Sequence, residues 1–381
     1  MKNHRKIWLI IITSLMLGIA IGFFAAGWYF SDVLRHDGLM VSRDRSPNVQ
    51  ITSVDRDRVT LAAMQGSTST QLVQDGIWGL EWPIGYAQLG PIIQVEGAYV
   101  VRPVIRSWGQ PLTIGMTAYL DNWAFPTDPR RADALPFEDV TFESSEGVFK
   151  AWLVPGNTSS WAILVHGQNS QRPEFLRILP TLARAGLSSL VIEYRNDPGE
   201  PAPSDGYYRF GATEWLDLQA AAQYALDHGA RHLVLVGNSM GAAIVMSFLY
   251  HSPLADRAAG VVLDSPLLDF SATVQYQARG RGIPDPISNV AKLLAAARFG
   301  IDWRRVDYLR TADQLNVPVL LFHGENDKRV PRATSDALFE TRPDLVTYVP
   351  TPGADHVRAW NVDSAAYTRS LETFLARLPF D

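Results

Sequence analysis

Gly237-Asn238-Ser239-Met240-Gly241 sets a serine between two glycines in the pattern G-x-S-x-G. The apolar run His232 to Val236 precedes it and a helical stretch from Met240 to Tyr250 follows, so a sharp strand-to-helix turn is expected. Such a turn presents a hydroxyl at the carboxyl end of a strand, near the positive end of a helix dipole. A hydroxyl attacks a carbonyl carbon poorly unless a base takes its proton. Of the 8 histidines, only His356, in Gly353-Ala354-Asp355-His356, lies downstream of both the serine and a suitable acid. His4 and His36 flank an apolar segment, and His228, His232 and His251 fall on or beside helices and strand starts. His166 and His323 each precede a glycine at a strand end. These seven read as structural or surface residues. The acid that orients the imidazole and stabilises its cation is assigned to Asp327, in the loop directly after the predicted strand Val317 to Phe322. Two rivals stay open. Asp264 ends the strand Val261 to Leu263, although it also suits a cap for the turn Ser265-Pro266, and Asp355 adjoins the histidine too closely to reach its ring easily.

Acyl transfer through a serine passes an oxyanion that needs two fixed donors. One is the N–H of Met240. The other is assigned to the N–H of Gln168, in His166-Gly167-Gln168-Asn169, with Asn169 the alternative if the turn differs by one residue. The absence of cysteine excludes disulfides, thiolate zinc sites and cysteine nucleophiles. A formal net charge of −5 without a basic stripe argues against a nucleic-acid partner.

These residues need elements to position them. From Pro136 onward, strands alternate with helices. Val140 to Phe142 and Val148 to Val154 form a hairpin across Glu146-Gly147. Trp161 to Val165 is a strand, Arg172 to Ala185 a helix, Leu187 to Tyr194 a strand and Thr213 to His228 a helix. Val261 to Leu263, Val317 to Phe322 and Val346 to Val349 are further strands, and Ser364 to Leu378 is the closing helix. The alternation predicts a doubly wound, mostly parallel sheet, with ligands beyond the carboxyl ends of its strands. Residues 265–316 interrupt it and are expected to cap the pocket. There Val290, Leu293, Leu294 and Ala297 share a helical face, read as packing against the core, with an acyl-chain contact as the alternative. Arg279, Arg281, Arg304 and Arg305 read as solvated charges or as attraction for an anionic substrate.

Upstream, Val59 to Leu61, Ile92 to Val95 and Tyr99 to Val101, separated by Gly and Pro, predict a small β-rich module over 31–135. Trp78, Trp82, Trp108 and Trp123 read as its core aromatics, with a ligand groove as the alternative. Ile7 to Phe30 holds no charged residue. As a helix these residues span roughly 36 Å, enough for a hydrocarbon core of about 30 Å. Trp8 at one end and Trp28 with Tyr29 at the other suit the two interfaces. Lys2, Arg5 and Lys6 precede the segment, and Asp32, Arg35 and Asp37 follow it. The expectation is a single-pass anchor over 1–30 in contact with membrane lipid, with the N-terminus cytoplasmic and the catalytic part outside. A signal peptide cut near Ala25-Ala26-Gly27 is the alternative.

From residue 136 to the end, the chain resembles the α/β-hydrolases, most closely the serine aminopeptidase-like and BEM46-like hydrolases. The matching pieces are Leu164-Val165-His166-Gly167, Gly237 to Gly241, His323 to Asp327 with Val330-Pro331, and Gly353 to His356. The resemblance implies the triad order Ser239, Asp327, His356, no cofactor or metal, and hydrolysis of a small-molecule ester or other acyl substrate. A carboxylesterase is the first expectation. A peptidase or amidase, or a non-catalytic membrane-tethered binding protein, are the alternatives. One departure concerns the loop after Tyr194, where relatives commonly carry Arg-Gly-x-Gly and this chain has Arg195-Asn196-Asp197-Pro198-Gly199.

Overall fold

The computed structural model describes residues 2–42, 45–64 and 71–380, with the side chains of Lys2, Asn3, His4 and Arg5 outside the described residues. Helix α1 (Lys2–Leu34) runs unbroken through the uncharged segment, and none of its most apolar stretch is buried. It continues past Phe30 and ends in one π turn, Arg35–Leu39. The chain then straps across the larger sheet. Leu39 is buried in that sheet's core, its carbonyl accepts from the Tyr208 N–H at 2.9 Å, and Met40 bridges to Tyr207. Residues 31–42 therefore pack with the larger sheet, outside the β-rich module.

That module is a small barrel of β1 (Val49–Val54), β2 (Arg58–Ala63), β3 (Trp78–Trp82), β4 (Gly85–Leu89), β5 (Gln94–Glu96), β6 (Tyr99–Gly109) and β7 (Thr117–Asp121). The order β2-β1-β7-β3-β4-β6 closes because β6 changes partner along its length. Tyr99 to Pro103 pair with β2, and Val104 to Gly109 pair with β4. Ile51, Leu61, Trp78, Leu80 and Leu120 fill the interior. Trp78 and Trp82 are thus core aromatics, as expected, while Trp108 and Trp123 stay half-buried. The connection carries α2 (Pro129–Asp133), N-capped by Asp128.

The second sheet holds eight strands: β8 (Glu138–Ser144), β9 (Gly147–Val154), β10 (Ser160–Val165), β11 (Ser188–Ile192), β12 (His232–Asn238), β13 (Ala258–Asp264), β14 (Val319–Gly324) and β15 (Val346–Thr351). Their order is β15-β14-β13-β12-β10-β11-β9-β8. The six from β10 to β15 run parallel, and the β8–β9 hairpin adds an antiparallel edge. Every residue of β10, β11 and β14 is buried, as both faces are covered. The single helix expected over 172–185 is split into a 3₁₀ turn, Arg172–Phe175, and α3 (Leu179–Arg184). Pro180 lacks the N–H that a continuous helix would need there. Helices α4 (Trp215–Asp227) and α5 (Met240–His251) follow.

The interruption after β13 holds α6 (Phe270–Gly280) and α7 (Asp285–Phe299). The predicted core face of α7 is wrong. Ser288, Ala291 and Ala295 are buried, whereas Leu293 is 71% exposed. Small side chains let α7 approach its neighbours closely, and Val290 turns to α1, filling the space beside Gly27. Helices α8 (Ala333–Thr341), α9 (Ala359–Val362) and α10 (Ser364–Leu375) complete the chain.

Candidate active site

Ser239 sits between β12 and α5 with φ 52° and ψ −115°. For a residue with a Cβ this geometry costs on the order of 1–3 kcal/mol. It is held by Ser239 N–H donating to the Asp264 carbonyl at 2.9 Å, while the Ser239 carbonyl accepts from Ala242 and Leu267, each at 3.1 Å. The flanking glycines have steric reasons. A Cβ on Gly237 would stand 2.6 Å from Ala242 Cα, and one on Gly241 would collide with the Val165 carbonyl oxygen. The bare Gly237 lets α5 turn back tightly on β12, and the bare Gly241 lets α5 lie against the end of β10.

The structure brings the three expected side chains together. His356 Nε2 is 2.8 Å from Ser239 Oγ, and its Nδ1 is 2.8 Å from Asp327 Oδ2. Asp327 Oδ1 accepts from the N–H groups of Arg329 and Val330 at 2.8 and 2.9 Å, so the carboxylate cannot turn. Oδ2 also lies 3.3 Å from Nε2 of buried His323, whose Nδ1 meets Ser335 Oγ at 2.7 Å. Burial alone would raise the Asp327 pKa. The charge of His356 and the hydrogen bonds from His323 and His356 outweigh it and hold the carboxyl well below the usual range.

The rival acids are placed elsewhere. Asp264 Oδ1 accepts from the Ser265 hydroxyl at 3.2 Å, and burial pushes its pKa up to about 6. The Ser265 hydroxyl in turn accepts from Val357 N–H at 2.9 Å, bracing the histidine loop from below. Asp355 accepts from the N–H groups of Lys328 and His356 and from Gln74 Nε2 of the barrel segment, at 3.2, 2.8 and 3.0 Å. It fastens the loop and leaves the ring to Asp327.

Gly167 lies against Ser239, since a Cβ there would be 3.1 Å from Ser239 Cβ. The Gly167 carbonyl is fixed by three groups: His166 Nδ1 at 2.9 Å, Tyr194 Oη at 3.3 Å and Ser170 N–H at 3.2 Å. In a trans peptide the next N–H points the opposite way. That N–H belongs to Gln168. Neither it nor the Met240 N–H has an acceptor outside its own helix or strand among the described residues. The alternative donor residue, Asn169, has φ 57° and its side chain accepts from Ser42 N–H at 2.8 Å. Gln168 Nε2 donates to the Gly38 carbonyl at 2.5 Å. The segment leaving α1 is thereby bonded to the loop beside Ser239.

The Arg195–Gly199 departure finds its place here. Arg195 grips Asp217 at 2.7 and 2.8 Å. Asp197 Oδ2 accepts from Tyr194 N–H at 2.8 Å and meets His166 Nε2 at 3.0 Å. Both nitrogens of His166 face acceptors, so the buried ring is satisfied as an imidazolium. Burial opposes that charge, but Asp197 outweighs it and raises the His166 pKa to about 9. Sequence reasoning set His166 aside and gave Asp197 no role. A carboxylate inside a departed loop next to a strand-end histidine was the available signal.

A cavity of about 1130 Å³ opens over Ser239 and His356. Residues from every part of the chain line it: Leu34 of α1, Arg45 and Trp123 beside the barrel, Gln168, and Phe270 and Tyr276 of α6. Trp123, stacked under Arg45 at 4.2 Å, takes the groove reading that Trp78 and Trp82 do not. Arg279 and Arg281 also line it, but each is paired, with Asp285 at 2.6 Å and Asp37 at 3.0 Å. Among the described residues no group of three His, Cys, Asp or Glu side chains is arranged to hold a metal ion.

A family model described as "Alpha/beta hydrolase family" matches residues 153–372, and one described as a domain of unknown function matches residues 50–121, within the barrel. The chain is 24% identical over 231 residues to the uncharacterized protein YqkD of Bacillus subtilis, covering 58% of this chain and 73% of that one. It is 27% identical over 215 residues to dipeptidyl aminopeptidase BIII of Pseudoxanthomonas mexicana, covering 51% of this chain and 30% of that protein. Among solved structures, the Pyrococcus furiosus esterase Pf2001 superposes with TM-score 0.54 at 19% identity, over 67% of this chain and 97% of its own.

Proposed function

Because the chain belongs to the alpha/beta hydrolase family, we propose that it is a membrane-anchored serine hydrolase that cleaves carboxylic esters through an acyl-enzyme. The observation that carries this is the continuous relay from Ser239 Oγ through His356 to Asp327, with 2.8 Å at both contacts. Ser239 Oγ attacks the ester carbonyl carbon as His356 Nε2 takes its proton, and the cation formed is stabilised by Asp327. The tetrahedral oxyanion is received by the N–H groups of Met240 and Gln168, each contributing about 3 kcal/mol. Collapse expels the alcohol, which receives the proton from His356. Water, deprotonated by the same imidazole, then attacks the acyl-enzyme and frees the acid. No step uses a metal or cofactor.

The dipeptidyl aminopeptidase relative favours a second reading, cleavage of a small peptide or amide by the same steps with an amine as leaving group. α1 is read as an uncleaved anchor, with the N-terminus in the cytoplasm and the hydrolase outside. Its terminal turns are packed on α7 by Gly27 and Val290, which fits retention of the helix.

Fluorophosphonate labelling of the intact protein tests the nucleophile: one adduct on Ser239, lost in Ser239→Ala, is expected. A p-nitrophenyl ester series beside aminoacyl-p-nitroanilides decides between the two readings. Folded protein that neither reacts nor turns over any of these would leave only the binding-protein alternative. Protease added to intact cells should trim the large C-terminal part, and protection there would reverse the orientation.

A further inference from the structure

We infer that the substrate is a long-chain acyl ester carried by an amphiphile of the membrane, which reaches Ser239 along the wall formed by the anchor helix and the cap. This rests on the serine-hydrolase and anchor readings above and adds the substrate class. The anchor is part of the site rather than a tether. α1 runs without interruption from the apolar segment to Leu34, and Phe30, Val33 and Leu34 line the cavity that holds Ser239 and His356. Trp28 and Tyr29, the aromatic pair that suits the headgroup level, precede Phe30 directly. At about 1.5 Å of rise per residue, the cavity wall begins within one helical turn of that level.

The distance is fixed, because α1 is clamped to the cap. The Arg298 guanidinium lies over the Trp28 ring at 3.7 Å and donates to Ser31 Oγ at 2.5 Å and Asp32 Oδ1 at 2.9 Å. Arg281 holds Asp37 at 3.0 Å. Leu293, three residues beyond Val290 on α7, the helix that packs on α1, is 71% exposed, an aliphatic side chain uncovered by the rest of the chain.

Size and polarity point the same way. About 1130 Å³ exceeds the roughly 300–1,000 Å³ of pockets for drug-sized ligands. Phe30, Val33, Leu34, Phe270 and Val274 are its apolar lining side chains near the anchor and cap, and Leu34, Phe270 and Val274 belong to one hydrophobic cluster. Gln168 and His356 line it with Ser239, and charged groups that include the paired Arg279 and Arg281 share the remaining wall. An acyl chain fits the apolar side chains with its ester carbonyl at Ser239. Every methylene led through water carries a transfer penalty, whereas a wall continuous with the anchor spares the chain that exposure.

The test uses the full chain, its retained N-terminus checked by intact mass, in nanodiscs of phosphatidylcholine and phosphatidylglycerol doped with diacylglycerol. Fatty acid release is read by mass spectrometry and p-nitrophenyl acetate turnover is read in the same sample. The expected result is hydrolysis of both, with release from phospholipid or from diacylglycerol identifying the carrier. Leu34→Trp and Val274→Trp, which fill the apolar wall from either side, should each lower the ratio of lipid to acetate turnover at least tenfold. Acetate cleavage without release from any disc lipid overturns the inference and leaves the esterase reading standing. A ratio unmoved by both variants overturns the route along the anchor. Failure on acetate as well, with Ser239 unlabelled by fluorophosphonate, overturns the hydrolase reading itself.

Discussion

Replacing Asp327 by Asn changes one atom and should nearly abolish turnover, for a reason that the hydrogen bonds around it dictate. Oδ1 accepts from two backbone N–H groups and Oδ2 faces two imidazoles. An amide has one acceptor and one donor end. Turning its NH₂ toward Arg329 and Val330 would leave two fixed donors unmet, at about 1–3 kcal/mol each. The backbone cannot adapt, but an imidazole can change tautomer. The NH₂ therefore faces His356, whose Nδ1 becomes the acceptor and whose proton moves to Nε2. That proton then points at Ser239 Oγ, 2.8 Å away, and the base is gone. The analogous change in a serine protease triad lowers kcat by about 10⁴, which is roughly 5.4 kcal/mol of barrier. The assay is p-nitrophenyl ester hydrolysis by parent and variant, with melting curves to show that both are folded. A folded variant retaining more than a tenth of the parent kcat would refute the assignment of Asp327 as the orienting acid.

Two further outcomes follow from the same geometry. The folded-state pKa of His166 is raised to about 9 from an ordinary value near 6.5. The pair with Asp197 therefore contributes its full stability below pH 6.5 and loses it as pH rises through about 9. Thermal melts should fall between pH 7 and pH 9.5 in the parent, and Asp197→Asn should flatten that fall while lowering kcat. An unchanged pH slope in the variant would show that the imidazolium is not held there. Gly241→Ala sets a Cβ against the Val165 carbonyl oxygen. The cost should approach the upper end of overpacking penalties, about 3 kcal/mol, or a drop in Tm of about 6–12 °C by calorimetry. A Tm within 2 °C of the parent would mean that α5 and β10 are not in contact as described.

The parts of this protein legible in its sequence are those governed by local chemistry. Ser239 could be found because a strained strand-to-helix turn demands glycine on both sides. The parallel sheet showed itself because strands buried on both faces must be continuously apolar. His356 and Asp327 were reachable by elimination, as few histidines and acids fall in loops at the carboxyl ends of strands. The helix face of Val290 and Leu293 was misread because periodicity reports that a face is apolar, without saying what covers it. The helix expected over 172–185 took no account of Pro180, which splits it.

What the sequence determined by itself was therefore the alternating sheet, the uncharged N-terminal helix, and Ser239, Asp327 and His356 as candidates for one site. The first two follow from local spacing and residue type, and the candidates from loop position and chain order. Only the tertiary structure decided that Gln168 is bonded to Gly38, that Asp197 charges His166, that Gln74 braces Asp355, and that the end of α1 walls the cavity. Those pairings join segments from 31 to 281 residues apart. Nothing local marks Gln168 for Gly38 or Gln74 for Asp355. The choice is made when buried polar groups find acceptors as the core closes.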